Sequence, residues 1–334
     1  MRPTVLVTAI IGEDDMGEAL ALLRQKAEVK VSRFGRAFTE DELLHELRNV
    51  DAVFAGGDPY TARVLETAHC LKIIARDGVG LDRVDLDVAT RRGIVVTITP
   101  TICESVADLA FSLITCLFRR IMTADRLVKA GEWRSRERFV SKEVNGATLG
   151  IIGLGRIGGF VAKRAASFNM RVLAFDPYVT AARAESLGAT LTDLKTLLSE
   201  SDVVTVHAPL SKETRGLIGR RELSLMKKGA FLVNTARGAI VDEGALIEAL
   251  TSGPLGGAGL DVLSVEPPSL DNPLLSMENV ILTPHMGNDT HEAFRRLSLE
   301  AGKDIISVLE GEMPLHAVNP EALAQRRGSG AGSP

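Results

Sequence analysis

Three charged side chains follow successive strand-like runs in the second half of the chain. Arg237 stands in LVNTARGAIVDE, Glu266 in LDVLSVEPP and His285 in ILTPHMG. Because ligands of open α/β sheets bind beyond the carboxyl ends of the strands, these residues are expected to converge on one crevice. A proton donor, a carboxylate and a guanidinium suit hydride transfer to a carbonyl group, which needs a proton for the developing alkoxide and a cation near its oxygen.

Each of these residue types suits one task in that reaction. His285 could deliver the proton, and Glu266 could hydrogen-bond the imidazole, fix its orientation and favour its protonated form. The planar guanidinium of Arg237 could hold the carboxylate of a 2-oxo acid while staying permanently charged. Taken singly, each is more often a packing, surface or turn residue, but their joint occurrence downstream of a dinucleotide-binding motif favours a catalytic site.

That motif is a glycine-rich loop in TLGIIGLGRIGGFVAKRAASFNMRVLAFDPY. Gly153, Gly155 and Gly158 form GxGxxG between a strand-like run and a helix-like run, which suits a tight turn, a close pyrophosphate and close helix packing. Asp176 ends the next strand-like run, 18 residues after Gly158, where its carboxylate could bind a ribose hydroxyl and repel a 2′-phosphate. No Arg or Lys directly follows Asp176, so the predicted cofactor is NAD rather than NADP.

The elements that must position these residues alternate along the chain. Segments of helical period separate the strand-like runs VLVTA, DAVFAG, LKIIAR, GIVVTI, TLGIIG, RVLAFD, DVVTVHAP, AFLVNTA, GAGLDV and NVILTP. Runs that are apolar on both faces indicate parallel sheets covered by helices on both sides, so the predicted fold class is α/β. Two long helical patterns, from about Thr101 to Arg120 and from near Asp289 to about Glu310, are interpreted as crossovers between two domains. Asp289 and Glu292 have the spacing of a capping box.

Composition limits the function classes. A chain of 334 residues is long enough for two domains, and 25% charged and 45% hydrophobic residues are ordinary for a globular protein. The formal net charge of -4 gives no reason to expect nucleic acid or an anionic membrane as a partner, so a small molecule is predicted. The longest near-apolar stretch, VADLAFSLITCLF, is short for a membrane span and contains Asp108. Three cysteines without CxxC spacing favour free thiols in the cytoplasm, and no metal site is predicted.

Six motifs occur in an order that resembles the D-isomer-specific 2-hydroxyacid dehydrogenases: GLGRIG, FDPY, HAPL, NTARGAIVDEGAL, GLDVLSVEPP and NVILTPHMG. The resemblance is clearest from Leu71 to about Glu310. It implies two Rossmann-like domains of doubly wound parallel sheet, with the cofactor domain (102–290) inserted into a flavodoxin-like substrate domain (1–101 and 291–322). Residues 323–334 are predicted to be a disordered tail, and the resemblance implies a homodimer joined mainly through the cofactor domains.

The resemblance also implies roles for single residues. Arg237 would contact the carboxylate and carbonyl groups of the substrate, Glu266 would pair with the histidine, and His285 would be the acid/base. Backbone N–H groups around Val79 and Gly80 in RDGVGLDRVD would hold the substrate carboxylate. The positions expected to bind NAD are Gly153, Gly155, Arg156, Ile157, Gly158, Asp176, Ala208, Thr235, Ala236, Asp261 and Gly287. Of these, Asp261 would lie near the nicotinamide amide.

The substrate is less constrained than the reaction. The chain looks most like the phosphoglycerate dehydrogenase branch of the family, which makes 3-phosphoglycerate the first expected substrate and glycerate/hydroxypyruvate or glyoxylate the alternative. AGGDPYT stands where that branch commonly carries an Arg, so one phosphate contact is missing. A non-catalytic, NAD-sensing protein similar to corepressors is the alternative from another class. A formate-type dehydrogenase is disfavoured because it needs no Glu-His pair.

The segment LTPHMGNDTHEAFRR contains two histidines that are expected to differ in role. His285 follows a strand end, whereas His291 is predicted to lie in the first turn of a helix capped by Asp289 or a neighbour. Asn288 has no assigned role. Cys103 is interpreted as a buried thiol, and the run Arg134, Arg136 and Arg138 as a solvated charged face, with an anion contact across a dimer interface as its alternative.

Overall fold

The structure, a computed structural model, describes residues 2–32, 34–134, 140–323 and 325. The described chain divides into two compact units. The first unit comprises the described parts of Met1–Ile102 and Asn288–Pro334, and the second unit is Cys103–Gly287. The predicted tail lies almost entirely outside the described residues, as do Arg136 and Arg138. The assignment of a substrate role to one unit and a cofactor role to the other stays a prediction.

The first unit contains, among its described residues, a five-stranded parallel sheet. Its strands are β1 (Thr4–Val7), β2 (Glu28–Val31), β3 (Ala52–Ala55), β4 (Ile73–Arg76) and β5 (Val95–Thr97). Their order is β2-β1-β3-β4-β5, which is the flavodoxin-like order, so the predicted fold of this unit is confirmed. Every residue of the central strands β3 and β4 is buried, because helices cover both faces of the sheet.

Helices flank this sheet on its two faces. They are α1 (Glu13–Lys26), α2 (Glu40–Glu46), α3 (Ala62–Thr67), α4 (Leu86–Arg91) and, last in chain order, α12 (His291–Leu309). Leu43 of α2, Val64 of α3 and Val88 of α4 share one apolar core with side chains of the strands. The helices α1 and α12 pack against each other, and α12 also contacts β3 and β4.

The second unit contains a seven-stranded parallel sheet within the part of the chain that is described. Its strands are β6 (Thr148–Ile152), β7 (Arg171–Phe175), β8 (Thr190–Leu191), β9 (Val203–Val206), β10 (Ala230–Asn234), β11 (Leu255–Leu260) and β12 (Val280–Leu282). The order β12-β11-β10-β9-β6-β7-β8 is that of a Rossmann domain with one added strand. The strand order reverses between β6 and β9, which is where such sheets bind dinucleotides.

Helices cover both faces of this second sheet as well. They are α5 (Cys103–Arg119), α6 (Ile121–Lys129), α7 (Arg156–Ser167), α8 (Ala181–Ser186), α9 (Leu194–Glu200), α10 (Arg220–Ser224) and α11 (Glu243–Thr251). Ile114 of α5 and Val161 of α7 belong to the core on one face. Leu197, Leu223 and Leu246, from α9, α10 and α11, belong to the core on the other face.

The start of α12 agrees with the prediction of a cap at Asp289 or a neighbour and selects the neighbour. The helix begins at His291 and its cap is Thr290, whose hydroxyl accepts a hydrogen bond from the N–H of Ala293 at 3.1 Å. Thr290 has the extended backbone (φ -128°, ψ 146°) that an N-cap residue requires. Asp289 therefore precedes the cap, and the carbonyl oxygen of Asn288 accepts the N–H of Thr290 at 2.8 Å.

One helix among the described residues is long and apolar enough by composition to cross a membrane. It is Pro100–Arg119, 20 residues with a mean hydropathy of 1.6, and it is longer than the apolar stretch noted in the sequence. Because 61% of its apolar window is buried inside the protein, it has the burial of a core helix, and its length is weak evidence for a membrane span.

Candidate active site

The glycine-rich loop joins β6 to α7 and has the conformation that its sequence predicts. Gly153 has a φ of 90°, and a Cβ there would lie 2.6 Å from the backbone nitrogen of Ala208. A Cβ on Gly158 would overlap the carbonyl oxygen of Gly153. Gly155, which precedes the first turn of α7, has no described atom within 4 Å of its Cβ position. The loop is thus closely packed at Gly153 and Gly158 and open at Gly155, where a helix N-terminus can receive a phosphate.

Asp176 lies just beyond the end of β7 and is tied to that loop. Its Oδ2 accepts a hydrogen bond from the N–H of Leu154 at 2.8 Å, and its Oδ1 accepts one from the N–H of Tyr178 at 2.9 Å. The carboxylate therefore fixes the glycine loop as well as offering its remaining lone pairs to a ribose. Of the two residues that begin α7, Arg156 is exposed and Ile157 packs against the core.

His207 lies directly after β9 and was missed as a site residue, although the sequence motif HAPL contains it. Its Nε2 lies 2.9 Å from the hydroxyl of Thr205, and burial lowers the pKa of its imidazole to about 3. Nδ1 has no hydrogen-bond partner among the described residues. The imidazole is therefore neutral at ordinary pH. His207 directly precedes Ala208, whose backbone nitrogen packs against Gly153 of the glycine loop. The signal that could have found it is a histidine at a strand end two residues after a threonine.

Asn234, the last residue of β10, shapes the turn that follows this strand, and the sequence did not indicate that role. Its side-chain amide donates to the carbonyl oxygen of Arg237 at 2.9 Å, and its Oδ1 accepts the N–H of Ala236 at 3.0 Å. This buried side chain closes the turn that carries Arg237, whose own guanidinium donates to the Ala236 carbonyl at 2.7 Å. Thr235, between them, is buried, and its hydroxyl has no partner among the described residues.

Gly238 explains how the Arg237 turn approaches the next strand. A Cβ on Gly238 would overlap the backbone of Leu263 and would lie 2.5 Å from the nitrogen of Ser264. The loop after β10 therefore packs directly on the backbone of the loop after β11. This contact places the segment carrying Arg237 against the segment that leads to Glu266.

The loop after β11 is held by a further carboxylate. Glu243, the first residue of α11, accepts the N–H of Ser264 at 2.9 Å through Oε2 and the amide of Asn272 at 2.8 Å through Oε1. Within the loop, Glu266 Oε1 accepts the N–H of Leu263 at 3.0 Å. One oxygen of Glu266 is therefore used to fix its own orientation, which leaves Oε2 for the histidine.

Asp261, at the end of β11, organises the segment that carries His285. Its Oδ1 accepts the Thr283 hydroxyl at 2.6 Å and the Met286 N–H at 2.9 Å, and its carbonyl oxygen accepts the His285 N–H at 2.8 Å. Asp261 is 2% exposed, and a Cβ on Gly287 would lie 3.2 Å from its Oδ2. Asp261 therefore fixes the turn that carries His285, a role that the sequence did not indicate.

His285 and Glu266 form the central pair of the site. Nδ1 of His285 donates to Oε2 of Glu266 over 2.7 Å. His285 has a φ of 55°, a left-handed conformation that is uncommon for a residue with a side chain and is stabilised here by the backbone bonds to Asp261 and Thr283. Because Nδ1 is engaged by the carboxylate, Nε2 is the ring nitrogen through which a proton can pass to a ligand.

The electrostatics of this pair favour an imidazolium ion. The hydrogen bond with Glu266 raises the pKa of His285 above its ordinary value, against burial and the charge of Arg237, which lower it. Burial raises the pKa of Glu266, but its hydrogen bond and charge interaction with His285, together with Arg237, outweigh burial and leave that pKa lowered. The effect of Arg237 on both partners indicates that its guanidinium is close to the pair.

The first unit contains the segment expected to bind a substrate carboxylate. The N–H groups of Gly78, Val79 and Gly80, just beyond β4, donate no hydrogen bond to a described residue. Arg76 holds this segment from beneath: its Nε donates to the Gly80 carbonyl at 3.4 Å and its Nη1 to the carbonyl of Gly56. Consecutive backbone N–H groups without described partners are donors that an anion can accept from.

The second histidine has a structural role in the first unit. Nδ1 of His291 donates to Asp15 Oδ2 at 2.7 Å, and Nε of Arg295 donates to Asp15 Oδ1 at 3.1 Å. These contacts join the start of α12 to the first turn of α1. The hydrogen bond with His291 and the nearby Arg295 lower the pKa of Asp15, although burial opposes this shift.

The described residues contain no group of three or more His, Cys, Asp or Glu side chains arranged to hold a metal ion. Cys70, Cys103 and Cys116 form no disulfide bond among the described residues, and Cys103 is buried. Thus the second unit brings together the glycine loop, Asp176, Ala208, Thr235, Ala236, Arg237, Asp261, Glu266 and His285 at the ends of its strands. Val79 and Gly80 belong to the first unit.

Comparison with known proteins agrees with this geometry. Residues 111–287 match the model of the D-isomer specific 2-hydroxyacid dehydrogenase, NAD binding domain. The chain is 44% identical to a D-3-phosphoglycerate dehydrogenase of Archaeoglobus fulgidus, covering 93% of the chain and 59% of that relative, so it spans about three fifths of its length. It is 41% identical to a glyoxylate reductase of Thermococcus litoralis, covering 97% of the chain and 98% of the relative.

A solved structure is similar over almost the whole chain. The D-lactate dehydrogenase of Aquifex aeolicus, complexed with NAD and lactic acid, superposes with a TM-score of 0.84 at 30% identity, covering 95% of this chain and 99% of that one. The match includes the unit that contains the glycine loop. NAD is therefore the cofactor that fits this unit, and the open position at Gly155 supplies the cradle for it.

Proposed function

Because the chain belongs to the D-isomer specific 2-hydroxyacid dehydrogenase family, we propose that it interconverts a small D-2-hydroxy acid and its 2-oxo acid with NAD. The observation that supports this most strongly is the 2.7 Å contact between His285 and Glu266, with Arg237 acting on the charge of both. An imidazole held by a carboxylate and a neighbouring guanidinium are the groups that reduction of a carbonyl requires.

NAD, when bound, supplies the hydride acceptor or donor. We assign its pyrophosphate to Gly153, Gly155, Gly158 and the first turn of α7, where Arg156 and Ile157 lie. Asp176 would accept hydrogen bonds from the hydroxyl groups of the adenosine ribose. The same carboxylate would repel a 2′-phosphate. Ala208, Thr235, Ala236, Asp261 and Gly287 are the further proposed contacts. The unpartnered hydroxyl of Thr235 and Nδ1 of His207 are polar atoms that a bound group could satisfy.

In the reducing direction His285 acts as the general acid. Glu266 keeps the imidazole protonated and orients it through Nδ1, so that Nε2 donates its proton to the oxygen formed from the substrate carbonyl. Arg237 stabilises the charge that develops on that oxygen and holds the substrate carboxylate. In the oxidising direction neutral His285 accepts the hydroxyl proton through the same Nε2. Val79 and Gly80 are proposed as further donors to the substrate carboxylate.

The loop after β3 bears on the choice of substrate. The sequence places 3-phosphoglycerate first, but Gly56, Gly57 and Asp58 offer no cation in the segment where a phosphate contact is expected. Asp58 is fully buried and accepts hydrogen bonds from the hydroxyls of Thr8 and Tyr60 and the N–H of Phe38. We therefore favour glyoxylate or hydroxypyruvate over a phosphorylated acid as the substrate. Reduction of hydroxypyruvate gives D-glycerate.

A single spectrophotometric screen tests this function. Consumption of NADH and of NADPH is followed with glyoxylate, hydroxypyruvate, pyruvate and 3-phosphohydroxypyruvate. We expect turnover with NADH and a non-phosphorylated acid, and much weaker use of NADPH. Preference for 3-phosphohydroxypyruvate would reverse the order of substrates. Tight NADH binding without turnover of any acid would overturn the enzymatic proposal and favour an NAD-sensing binding protein similar to corepressors.

We also propose a homodimer, formed by the second unit. No residue of α6 is buried, and the neighbourhood of this helix exposes large apolar side chains: Ile121, Met122, Val128, Trp133 and Val140. Large apolar side chains exposed together in one region are typical of a protein–protein interface. Sedimentation of the wild type and of Val128→Asp tests this, because a dimer that uses this surface dissociates in the variant. A cytoplasmic location, suggested by the free cysteines, is part of the same proposal.

A further inference from the structure

Asp77, at the carboxyl end of β4, is a charged residue that the proposed reaction does not use. It directly precedes Gly78, Val79 and Gly80, the segment whose N–H groups have no described partner. Its backbone N–H donates to the Ala55 carbonyl at 2.9 Å, which fixes it against the end of β3. Its side-chain carboxyl group makes no hydrogen bond or ion pair to another described residue.

The surroundings of Asp77 are rich in carboxylates. The charged groups that act on it most strongly are Arg76 on β4, Asp58 on the loop after β3 and Asp289 in the segment before α12. Arg76 is 6% exposed, and two of its nitrogens are already committed to the carbonyl oxygens of Gly56 and Gly80. Two carboxyl groups and one guanidinium thus act on the charge of Asp77, and the local charge becomes more negative whenever Asp77 ionises.

We propose that Asp77 is a specificity residue that selects against doubly charged 2-oxo acids at the Gly78–Gly80 segment, so that the site takes singly charged ones. This inference rests on the proposed function. A single carboxylate can bind to the N–H groups beside Asp77, whereas a second negative charge on the ligand is repelled by the carboxylate of Asp77 and, at longer range, by the charges of Asp58 and Asp289. Glyoxylate, hydroxypyruvate and pyruvate each carry one charge, and phosphorylated or dicarboxylic 2-oxo acids carry two or more.

The ionisation of Asp77 makes this selection depend on pH. Burial is the largest cause that raises the pKa of its carboxyl group, Arg76 opposes it, and Asp58 and Asp289 add to it, so that the pKa lies at about 6. Near pH 5 the group is therefore mostly neutral and tolerates a second ligand charge. Near pH 8 it is ionised, and discrimination against dianions is at its greatest.

Two small anions provide the test. Oxamate and oxalate have nearly the same shape as a 2-oxo acid, and above pH 5 they carry one and two charges. Their dissociation constants for the protein with NADH bound are measured by calorimetry between pH 5 and pH 8. We expect the ratio of the oxalate constant to the oxamate constant to rise about tenfold over this range, the effect of roughly one pKa unit of like-charge interaction.

Variants test whether Asp77 causes the change of this ratio with pH. In Asp77→Asn the rise of the ratio is expected to be much smaller than in the wild type, because only the loss of the His285 proton remains to cause it, whereas Asp77→Glu is expected to keep the full rise. Asp87→Asn, which removes an exposed carboxylate from α4, is the matched control and should behave as the wild type. If Asp77→Asn does not fold, Asp77→Ser is the second neutral variant, and the rise of its ratio is compared with that of the wild type.

Stability gives a readout that does not depend on ligands. A carboxyl group whose pKa is raised by folding favours the folded state at low pH and loses that contribution as pH rises through about 6. The melting temperature of Asp77→Asn should therefore rise relative to the wild type between pH 5 and pH 8.

The outcomes separate the two proposals. Binding of both anions with a ratio that is flat in the wild type overturns the role of Asp77 and leaves the dehydrogenase intact. A melting-temperature difference that is constant with pH also overturns that role. Failure of both anions to bind, together with no turnover of any 2-oxo acid, overturns the proposed function and this inference with it.

Discussion

Nδ1 of His285 lies 2.7 Å from Oε2 of Glu266, and this contact raises the pKa of the imidazole. The carboxylate is itself oriented by the N–H of Leu263, so the histidine is presented by a partner that cannot rotate freely. The pair therefore links the loop after β11 to the loop after β12 and sets the protonation state of the proposed acid.

The first prediction concerns pH. In reduction the protonated form of His285 is active, so kcat/KM should fall as pH rises through its pKa, which lies above the ordinary value of about 6.5. Glu266→Gln removes the main cause of that elevation, while burial and Arg237 still lower the pKa. The midpoint of the fall should therefore move to lower pH in a pH profile of kcat/KM, recorded with NADH and glyoxylate or hydroxypyruvate. An unchanged midpoint would show that Glu266 does not act through the imidazole.

Loss of the acid itself should affect turnover and not cofactor binding. His285→Ala removes the proposed proton donor, and general acid catalysis typically contributes about 10² to 10⁴-fold, so kcat should fall by that order. The affinity for NADH, measured by fluorescence titration, should stay within about twofold. A variant that retains wild-type turnover would exclude His285 as the acid.

The contribution of Arg237 to substrate binding and turnover is expected to depend on the shape of its side chain as well as on its charge. Arg237→Lys keeps the charge but loses the planar fork, so the KM for glyoxylate or hydroxypyruvate should rise and kcat should fall, together about tenfold to a hundredfold in kcat/KM. Arg221→Lys, an exposed position on α10, is the control and should change neither constant. Equal behaviour of the two variants would count against a bidentate substrate contact.

The glycine loop offers a matched pair of substitutions. A Cβ on Gly158 would overlap the Gly153 carbonyl oxygen, so Gly158→Ala should lower the free energy of unfolding by about 1–3 kcal/mol and also weaken NADH binding. Gly155 has open space at its Cβ position, so Gly155→Ala should retain stability and lose only cofactor affinity. Denaturant melts and NADH titrations separate these effects. A stable Gly158→Ala with normal affinity would contradict the packing role of that glycine.

Much of the architecture could be predicted because central parallel strands are apolar on both faces. The runs that became β3, β4, β9 and β10 are buried throughout, whereas β2 and β8 were missed because they are short edge strands with exposed residues. The edge strands β5 and β12 keep an apolar run and were predicted, so it is the exposure of the side chains of β2 and β8, and not their edge position alone, that hides them in the sequence.

The supporting residues of the site were harder to find than its reactive groups. Arg237, Glu266 and His285 stand at strand ends, where charge in an otherwise apolar run is visible in the sequence. Asn234 and Glu243 act through hydrogen bonds to loop backbones, and such bonds depend on which loops meet in the folded sheet. Likewise, the pKa of Asp77 is raised first by burial and then by Asp58 and Asp289, and all of these depend on segments that are distant in sequence.

His291 provides the contrast to His285 and the last prediction. His291→Ala removes a hydrogen bond to Asp15 that joins α12 to α1, so it should lower the melting temperature while leaving kcat and NADH affinity unchanged. The lowered pKa of Asp15 means that its contribution is present above the unfolded pKa, about 3.9, and is lost as pH falls through the folded value. The difference in melting temperature between wild type and variant should therefore be larger at pH 5 than below about pH 3.9, and should shrink further as pH falls. A fall in kcat as large as that of His285→Ala would instead give His291 a part in the chemistry, and a difference independent of pH would remove Asp15 as its partner.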